Sequence, residues 1–512
     1  MIVIYHHKNR ITKVISEGTI ELSFNRNSSI ACELLEIAAQ FPKTIICWCS
    51  NHNQRNLNIK EVNKLFHHQK MMLSYNPSPS NYFDERIGYV EQTPFINVNK
   101  KVCYPTWQMS SEVGVIHASV LNALTERNPV VDFDYFINSL AKLLMPKGLI
   151  CYSQPKLLKG ANRKNAPKAS RFKLYKFVKQ HYKLRWLFLL FFNELIYERK
   201  IALFSFINAL FYKSKRKTTI NLNAIDVNVT IKTIKETTID VIIPTIGRKK
   251  YLYDVLCDLK KQTHLPKNVI IVEQNQVENS VSELDYLTAE TWPFNIKHTF
   301  IHQSGACNAR NIALSKVESE WVFLNDDDNR FEEDLLKNTF QCIQNYGIHA
   351  LITSYLKPNE KLEYKTTHQT GIFGSGNSFV KASCLKAVAF DMSFEFGYGE
   401  DTDFGMQLRH KGYDIMYFPN LKIIHLYAPM GGFRIKPKLA WNNELIQPKP
   451  SPTIMLLKLK YDTKTQINGY KLLLFLRLYF NGALINPVSF HKNFQEKWNM
   501  SQTWAKKIRT NA

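Results

Sequence analysis

From Thr238 onward, short apolar runs alternate regularly with helical stretches, and this alternation constrains the fold of the 512-residue chain more than any other feature. IDVIIPT, NVIIVEQN and EWVFLNDDD are typical of strands, whereas KKYLYDVLCDLKKQ, ACNARNIALSKV and EEDLLKNTFQCIQNYG are typical of helices. The strand segments are apolar, as expected when helices cover both faces of a sheet. The pattern therefore predicts an α/β domain with a Rossmann-like, doubly wound, mostly parallel sheet.

Polar residues stand at the carboxyl ends of three of these predicted strands. Pro244 and Thr245 end the first strand, Glu273 and Gln274 end the second, and the triple Asp at 326–328 follows a later one. Ligands of open α/β sheets bind at the carboxyl ends of the strands, so these residues should face one crevice. A cation between packed carboxylates removes their mutual repulsion, which makes the triple Asp a candidate divalent metal site. A solvated acidic turn is the alternative for the tripeptide by itself.

A second acidic cluster lies in FGYGEDTDFGMQLRHKG, where Glu400, Asp401 and Asp403 precede a predicted helix. Carboxylates are favoured at a helix N-terminus, so a capping role is sufficient to explain Asp403. Glu400 and Asp401 stand in a Gly-rich loop, where the backbone can approach a ligand closely. The apolar run LKII that follows leads to His425, and a lone His after a strand is usually structural.

Six motifs, taken together, resemble those of the inverting family 2 glycosyltransferases with a GT-A fold, of the type that acts in bacterial surface-polysaccharide synthesis. The motifs are DVIIPTIGR (240–248), GACNARNIAL (305–314), NDDDN (325–329), GSGNS (374–378), GYGEDTDF (397–404) and IIHL (423–426). Their order and spacing match the family across about 200 residues. The resemblance implies inverting transfer of a sugar from a nucleotide-sugar donor to an acceptor. It also implies a divalent metal ion, Mn²⁺ or Mg²⁺, that neutralises the leaving diphosphate.

The resemblance also implies roles for individual residues. The residues implied in donor binding are Pro244, Thr245, Arg248, Glu273, Arg310, Asp326 and Asp327. The residues implied in metal binding are Asp327, Asp328 and His425. Asp401 matches the general base of the family, and Glu400 would hold either the orientation of Asp401 or the acceptor. The acceptor-side loop would contain Gly374, Gly376 and Asn377.

Two positions depart from the family's pattern. Asn325 stands where the family often has an Asp, which leaves the register of the metal motif open by one residue. Glu273–Gln274 stands where the family usually has an Asp pair that binds the base. Because a carboxylate accepts a hydrogen bond from a uracil or thymine imide, a UDP- or dTDP-sugar is favoured, and another base stays open. The stretch APMGGFR (428–434) is interpreted as a lid in which Arg434 reaches the diphosphate.

The sequence divides into four predicted segments, which are an α/β accessory domain (1–160), a basic helical connector (161–235), the GT-A catalytic domain (236–435) and a helical C-terminal region (436–512). The first segment faintly resembles the third. HASVL parallels KASCL, KGLICYSQP parallels KGYDIMYFP, and QFPKTIICWC parallels THLPKNVIIVEQ. The first segment has no triple Asp, and VDFDYF stands in place of the Glu-Asp pair. We interpret it as a degenerate GT-A-like domain, with chance similarity as the alternative.

The chain carries 67 Lys and Arg against 43 Asp and Glu, a formal net charge of +24. Such a surface favours an anionic partner, and the lack of a nucleic-acid-binding signature points away from nucleic acid. The basic, aromatic stretch 160–217 and the helical tail are therefore expected at an anionic inner-membrane surface, where a lipid-linked glycan would be the acceptor. Solvated helix faces are the alternative. Nine scattered Cys and the lack of 18 consecutive apolar residues predict free thiols, a cytoplasmic location and no spanning helix.

Two other classes of protein remain open from the sequence. A metal-dependent nucleotidyltransferase also uses Asp-bound metal on an α/β sheet, but it would lack a general base beside an acceptor loop and would release pyrophosphate. A non-catalytic scaffold that binds glycan or nucleotide would not need the combination of Asp327, Asp401 and His425.

Overall fold

The computed structural model describes residues 1–16, 20–124, 132–160, 167–227, 229, 231–429, 439–482 and 486–511. The chain folds as two compact units. Unit 1 contains residues 1–231 and 461–484, and unit 2 contains residues 232–460 and 485–512.

The strands are β1 (Ile2–His7), β2 (Arg10–Ser16), β3 (Ile20–Glu21), β4 (Ile45–Ser50), β5 (Met71–Ser74), β6 (Tyr104–Pro105), β7 (Val113–His117), β8 (Ile150–Ser153), β9 (Ile239–Ile246), β10 (Asn268–Gln274), β11 (Asn295–Ile301), β12 (Trp321–Asn325), β13 (Asn329–Arg330), β14 (Ala350–Leu356), β15 (His368–Gln369), β16 (Asn377–Lys381) and β17 (Met416–His425). The helices are α1 (Ile30–Gln40), α2 (Ile59–Leu65), α3 (Ala118–Asn122), α4 (Phe133–Leu144), α5 (Arg171–His181), α6 (Leu184–Glu198), α7 (Leu203–Leu210), α8 (Lys249–Lys260), α9 (Tyr286–Ala289), α10 (Ala306–Leu314), α11 (Leu335–Tyr346), α12 (Glu400–His410), α13 (Pro452–Tyr461), α14 (Lys464–Asn481) and α15 (Pro487–Asn511).

Unit 2 is built on a mixed sheet with the order β11-β10-β9-β12-β16-β14-β17-β13, and β15 pairs with β17. The first four of these strands are parallel to one another, whereas β16 lies antiparallel between β12 and β14. The α/β fold predicted from the sequence is confirmed. Parallel pairing brings the carboxyl ends of β9, β10 and β12 to one edge, and Thr245 pairs in register with Glu273 there.

Burial on both faces explains the apolar strands of unit 2. Residues 269–272 of β10 are fully buried, and Phe323 stacks on Phe379 across β12 and β16 with ring centroids 4.2 Å apart. Asp240 is the exception within β9. Its carboxylate accepts hydrogen bonds from the Ser319 hydroxyl (2.6 Å) and the Asn268 amide (2.8 Å), which satisfies a buried charge and anchors the segment before β12.

Unit 1 is built on an eight-stranded sheet with the order β3-β2-β1-β4-β7-β5-β8-β6. Its path β1-β4-β7-β5-β8 has the same strand directions and the same chain order as the path β9-β12-β16-β14-β17 in unit 2. The edge strands β6 and β15 also occupy the same place. Equivalent backbone bonds follow them, since the Thr106 N–H donates to Cys151 O and the Thr370 N–H donates to Ile415 O, both at 3.1 Å.

This shared path agrees with two of the three sequence similarities. HASVL and KASCL begin at the last residues of β7 and β16, and KGLICYSQP and KGYDIMYFP contain β8 and the start of β17. The third similarity set β4 beside β10, but β4 occupies the place of β12 in the sheet. The two units also differ at one edge. β1 pairs with β2 as an antiparallel hairpin, whereas β9 is joined to its parallel neighbour β10 through α8.

The compact units divide the chain differently from the four predicted segments. Helices α5, α6 and α7 from the basic segment belong to unit 1, where Leu174, Phe177, Leu187 and Leu190 enter its core. The C-terminal region is divided, because α14 belongs to unit 1 and α15 to unit 2. Close packing explains the placement of α14, since a Cβ at Gly469 would overlap the backbone of Tyr89. The sequence shows the basic charge of these helices but not which of their faces are buried.

Candidate active site

The triple Asp forms the link between β12 and β13 in unit 2. Strand β13 pairs antiparallel with β17, and this pairing sets Asn329 opposite His425. The Leu426 N–H donates to Asp328 O (2.9 Å), which ties the acidic link to the end of β17. The sheet therefore brings together two motifs that are about 100 residues apart in the chain.

Asp326, Asp328 and His425 form a group of metal-ligating side chains. One ligand atom from each of the three lies within 4.8 Å of the others. His425 Nε2 is 3.1 Å from Asp328 Oδ1, yet Asp328 Oδ1 and His425 Nδ1 are buried without a hydrogen bond of good geometry. Buried polar atoms are normally satisfied, so these atoms fit an additional ligand such as a cation. Two carboxylates and an imidazole are donors that Mn²⁺ accepts, and the carboxylates also suit Mg²⁺.

Asp327 points away from this group. Its carboxylate accepts hydrogen bonds from the Thr245 hydroxyl and from Arg248, each at 2.6 Å. Burial raises the pKa of Asp327 to about 6, although these two partners act in the opposite direction. From the sequence, we predicted that Asp327 is a metal ligand and that Asp326 binds the donor. In the structure Asp326 faces the His425 group, and Asp327 joins the triple Asp to the end of β9.

Asp326 is fixed from two sides. Arg310 on α10 donates to its Oδ1, and the Tyr355 hydroxyl donates to its Oδ2, both at 3.0 Å. Tyr355 also stacks on the His425 ring, with centroids 4.7 Å apart. A Cβ at Gly376 would overlap Asp326 Oδ2, so the absence of a side chain at 376 is what admits the carboxylate. Sequence reasoning missed Tyr355, although its place near the carboxyl end of β14 was a usable signal.

Asp328 is held in its ionised form. Burial by itself would raise its pKa, but the His425 ring, the Ala428 N–H and the Arg248 charge together lower the pKa below its ordinary value. The Ala428 N–H donates to Asp328 Oδ2 at 2.8 Å, and Arg248 lies 3.4 Å from the same oxygen. Asp328 therefore offers a charged carboxylate to a cation across the working pH range.

Glu400 and Asp401 are the first two residues of α12, which begins after the left-handed Gly399. Burial and the neighbouring Asp401 carboxylate raise the pKa of Glu400 to about 7. Burial also raises the pKa of Asp401, while the Arg310 charge and hydrogen bonds from Ser375 oppose the shift. Asp401 Oδ1 is buried without a hydrogen bond. The arrangement gives a poorly solvated carboxyl group with a free acceptor atom, as a general base requires.

Asp403 has a structural role, but its side chain does not cap the helix as expected, since the N-cap residue is Gly399. Its N–H donates to Gly399 O (2.8 Å), and its carboxylate accepts hydrogen bonds from Lys460 and Gln407, each at 2.6 Å. These contacts satisfy the carboxylate within the helix start and bind α13 to it. Asp403 is therefore not among the groups that face Asp326.

The other predicted residues lie around this centre. Gly374 and Gly376 precede β16, but Asn377 is buried and its amide donates to Thr353 O (2.9 Å). Glu273 accepts hydrogen bonds from Ser282 (2.5 Å) and His298 (2.9 Å), and these partners lower its pKa although burial acts in the opposite direction. Pro244 lies within β9, where it pairs with Val272 of this strand, and it is partly exposed. The structure therefore brings the predicted donor residues to one sheet edge, with Glu273 already occupied by protein partners.

Several predictions concern other parts of the chain. Arg434 of the proposed lid lies outside the described residues. All nine cysteines are free, as predicted. Within the ranges that the structure describes, no helix combines the length and apolarity needed to cross a bilayer.

Comparison with known proteins shows which family part of this chain resembles. Residues 240–400 match the family model described as Glycosyl transferase family 2. Glycosyltransferase GlyG of Streptococcus pneumoniae serotype 4 is 24% identical over 122 residues, which are 24% of this chain and 40% of the relative. An uncharacterized glycosyltransferase of Rickettsia conorii is 26% identical over 146 residues, which are 28% of this chain and 24% of the relative. The aligned segments thus span less than half of either relative.

A solved structure shows a weaker likeness. S. aureus TarS 1-349, determined in complex with UDP, has 17% identity and a TM-score of 0.35 over 54% of this chain and 92% of that chain. The family match over residues 240–400 supports a family 2 glycosyltransferase domain of GT-A type in this part of the chain.

Proposed function

We propose that the protein is a metal-dependent, inverting glycosyltransferase that moves a sugar from a nucleotide-sugar donor to a glycan or lipid-linked acceptor. The observation that carries the proposal is the convergence of two acidic motifs on Arg310. Arg310 donates to Asp326 of the metal-ligating group, and its charge also acts on the buried Asp401. The carboxylates that would hold the metal and diphosphate and the carboxyl group that would accept the acceptor proton therefore both interact with Arg310.

The residues divide the donor chemistry between them. Asp326, Asp328 and His425 would hold the metal ion, which supplies neutralisation of the negative charge on the leaving diphosphate. Asp327, fixed by Thr245 and Arg248, lies at the carboxyl end of β9, where a nucleotide would bind. A UDP- or dTDP-sugar is the donor that suits a carboxylate such as Glu273, provided that Ser282 or His298 gives way to the base imide.

The transfer step uses Asp401 as the base. The acceptor hydroxyl oxygen forms a bond to the anomeric carbon as the bond from that carbon to the diphosphate oxygen breaks. The bonding pair leaves with the nucleoside diphosphate, and the hydroxyl proton passes to Asp401. A single displacement inverts the anomeric configuration. Since the pKa of Asp401 is raised, the rate should increase with pH until this carboxyl group is ionised.

The biological setting is part of the same proposal. The acceptor would be an intermediate of bacterial surface-polysaccharide synthesis, reached in the cytoplasm at the inner membrane. Support comes from the family match of residues 240–400 and from the basic charge of the chain. The N-terminal unit, which shares a strand path with the catalytic one, would bind the acceptor glycan or a protein partner.

The test is turnover of a nucleotide-sugar panel with Mn²⁺ or Mg²⁺. We expect one donor to release its nucleoside diphosphate slowly, through transfer to water, only with metal. This release should be lost in Asp328→Asn and Asp401→Asn. Asp134→Asn is the control, because Asp134 is a buried helix-start Asp in unit 1. Pyrophosphate release would instead indicate a nucleotidyltransferase, and donor binding without turnover in all proteins would indicate a scaffold.

A further inference from the structure

Helix α6 of unit 1 has an apolar face that the unit does not cover. Leu184, Phe188, Phe192, Leu195 and Ile196 are exposed, with 43% of the surface of Phe188 and of Phe192 accessible to solvent. Their spacing of three to four residues places them on one side of the helix. The opposite side holds Leu187 and Leu190, which are fully buried. The helix therefore has two apolar sides, and only one of them is in the core.

Helix α7 continues this surface. Phe206 of α7 packs against Phe188 and Phe191 of α6, with ring centroids 5.0 and 5.3 Å apart, so the two helices lie side by side. Phe204 and Phe211 project outward and are 81% and 83% exposed. We call the exposed apolar residues of 184–211 the α6–α7 face. Its remaining members outside α6 are Ile201, Leu203, Ile207 and Leu210.

The concentration of these residues is unusual. Of the 27 large hydrophobic side chains that are exposed in the described part of the chain, 12 lie between Phe172 and Phe211. Single exposed apolar residues are normal on a soluble protein, whereas a contiguous group of this kind marks an interaction surface.

The charges around the α6–α7 face have one sign. Residues 167–217 contain thirteen Lys and Arg and only two acidic residues, Glu194 and Glu198. Glu194 is buried in ion pairs with Arg86 and Arg171, so it contributes no surface charge. The exposed cations of this range are Lys168, Lys183, Arg185, Arg199, Lys200, Lys213, Arg216 and Lys217. An apolar surface bordered by cations complements a bilayer with anionic headgroups, in which Lys and Arg stay at the phosphates while aromatic rings enter the acyl boundary.

Helix length excludes insertion across the bilayer at this place. Helix α6 has 15 residues, which span about 22 Å, whereas the hydrocarbon core is about 30 Å thick. The buried side of α6 is also fixed to unit 1 by Glu194, which accepts a hydrogen bond from Tyr175 (2.8 Å). The exposed side alone is available to lipid.

We propose that the α6–α7 face docks unit 1 onto an anionic lipid bilayer, with both helices lying in the plane of the headgroups. The proposal does not depend on the glycosyltransferase assignment. The residues of the α6–α7 face would contact the bilayer surface without crossing the bilayer.

The experiment is co-sedimentation of the full chain with vesicles. Vesicles of phosphatidylcholine with about 30% phosphatidylglycerol are compared with pure phosphatidylcholine vesicles. We expect binding to the anionic vesicles only, weakened at least about tenfold when salt rises from about 0.1 M to about 0.5 M. The double variant Phe204→Ser with Phe211→Ser should bind at least about tenfold more weakly.

A matched control is available in unit 2. Leu445 and Val488 are 103% and 78% exposed, so Leu445→Ser with Val488→Ser removes a similar apolar area outside the face. This control should bind like the wild type, and an unchanged Tm checks that each variant is folded. Wild-type chain that stays in the supernatant with anionic vesicles overturns the proposal. So does a Phe204 and Phe211 variant that binds normally. A dimer that this variant converts to monomer, without vesicle binding by the wild type, would show that a second copy covers the face.

Discussion

The two sheets of this protein share a path of five strands. Among the residues that the structure describes, a group of carboxylate and imidazole side chains that could hold a metal ion lies at the edge of the sheet in unit 2 and not in unit 1. β4 pairs Ile45 with His117, and β12 pairs Trp321 with Lys381, where His117 and Lys381 each end the neighbouring strand. With these pairs aligned, Ser50, Asn51 and His52 stand in unit 1 where the triple Asp stands in unit 2. The strand path alone therefore does not create an acidic site, because unit 1 has the same path with Ser, Asn and His at these positions.

The starts of α4 and α12 extend the comparison. Asp134 and Asp401 are each the second residue of their helix. Ser111 donates to Asp134 through its N–H (3.0 Å) and its hydroxyl (2.9 Å), and Ser375 supplies the corresponding partner of Asp401. Burial raises the pKa of both carboxyl groups, that of Asp134 to about 7. A raised pKa at this place is thus a property of the fold and is not by itself a sign of catalysis.

What distinguishes Asp401 is its surroundings. Arg310 and Asp326 act on the carboxyl group of Asp401, whereas the charged groups that act on Asp134 are Asp132 and Glu112. Unit 1 also has the hairpin β1–β2 in place of the β9–α8–β10 connection, so the residues of unit 1 that the structure describes include no counterpart of β10, the strand that contains Glu273. Burial is therefore common to Asp401 and Asp134, and only their charged neighbours distinguish Asp401 as the candidate active-site residue.

The largest difference in transfer rate is expected between substitution of Asp401 and substitution of Asp134. Asp401→Asn should lower the transfer rate by about 10²–10⁴-fold, because it removes the proton acceptor while keeping the side-chain shape. Asp134→Asn should leave the rate within about twofold, since Asn still accepts from Ser111. Steady-state kinetics on purified proteins measure both. Equal losses in the two variants would mean that the effect of Asp401→Asn is structural.

The next effect concerns the metal. Asp328→Asn removes a charge from the Asp326, Asp328 and His425 group, so donor turnover at about 1 mM Mn²⁺ should fall by about 10²-fold, with partial recovery at higher Mn²⁺. His52→Ala, at the corresponding position of unit 1, is exposed and should have no effect. Turnover measured against Mn²⁺ concentration checks this. Turnover in Asp328→Asn with the wild-type Mn²⁺ dependence would remove Asp328 from the site.

A smaller effect tests the close approach at Gly376. Gly376→Ala places a methyl group against Asp326, so it should shift this carboxylate and reduce kcat/KM by about tenfold, which is about 1.4 kcal/mol of transition-state stabilisation. Gly114→Ala in unit 1 instead places a methyl group against the buried Trp48. It should cost about 1–3 kcal/mol of unfolding free energy and leave kcat/KM unchanged. Wild-type kcat/KM in Gly376→Ala would show that the position of Asp326 is not critical.

A last effect concerns stability rather than turnover, and it is the contribution of Asp134 to the pH dependence of unfolding. Its pKa is about 7 in the folded chain, against an ordinary value of 3.8. The folded state therefore binds the proton more tightly, so the contribution is complete below about pH 4 and is lost as pH rises toward 7. The slope is at most about 1.4 kcal/mol per pH unit. Asp134→Asn should flatten the denaturation profile of unit 1 between these values, and an unchanged profile would contradict the assignment.

The sequence was sufficient for the α/β fold of unit 2, because buried parallel strands are apolar along their whole length. It also located the acidic strand end and His425, since strand ends of such sheets meet at one edge. It did not show which Asp of the triple lies beside His425, because that depends on the hydrogen bonds that Thr245 and Arg248 donate to Asp327. The sequence also did not show that α14 belongs to unit 1 and α15 to unit 2. This division depends on packing between residues far apart in the chain, which no local sequence pattern reveals.

The number of metal ions that one chain binds is the most direct measurement of whether Asp326, Asp328 and His425 form the metal site. Calorimetric titration of Mn²⁺ into the full chain with UDP or dTDP present reports this number without requiring an acceptor. We predict one Mn²⁺ per chain in the wild type and in His52→Ala, and none in Asp328→Asn at the Mn²⁺ concentrations that saturate the wild type. Two ions per chain, or one ion that persists in Asp328→Asn, would contradict the claim that the metal chemistry resides only at the acidic edge of the second sheet.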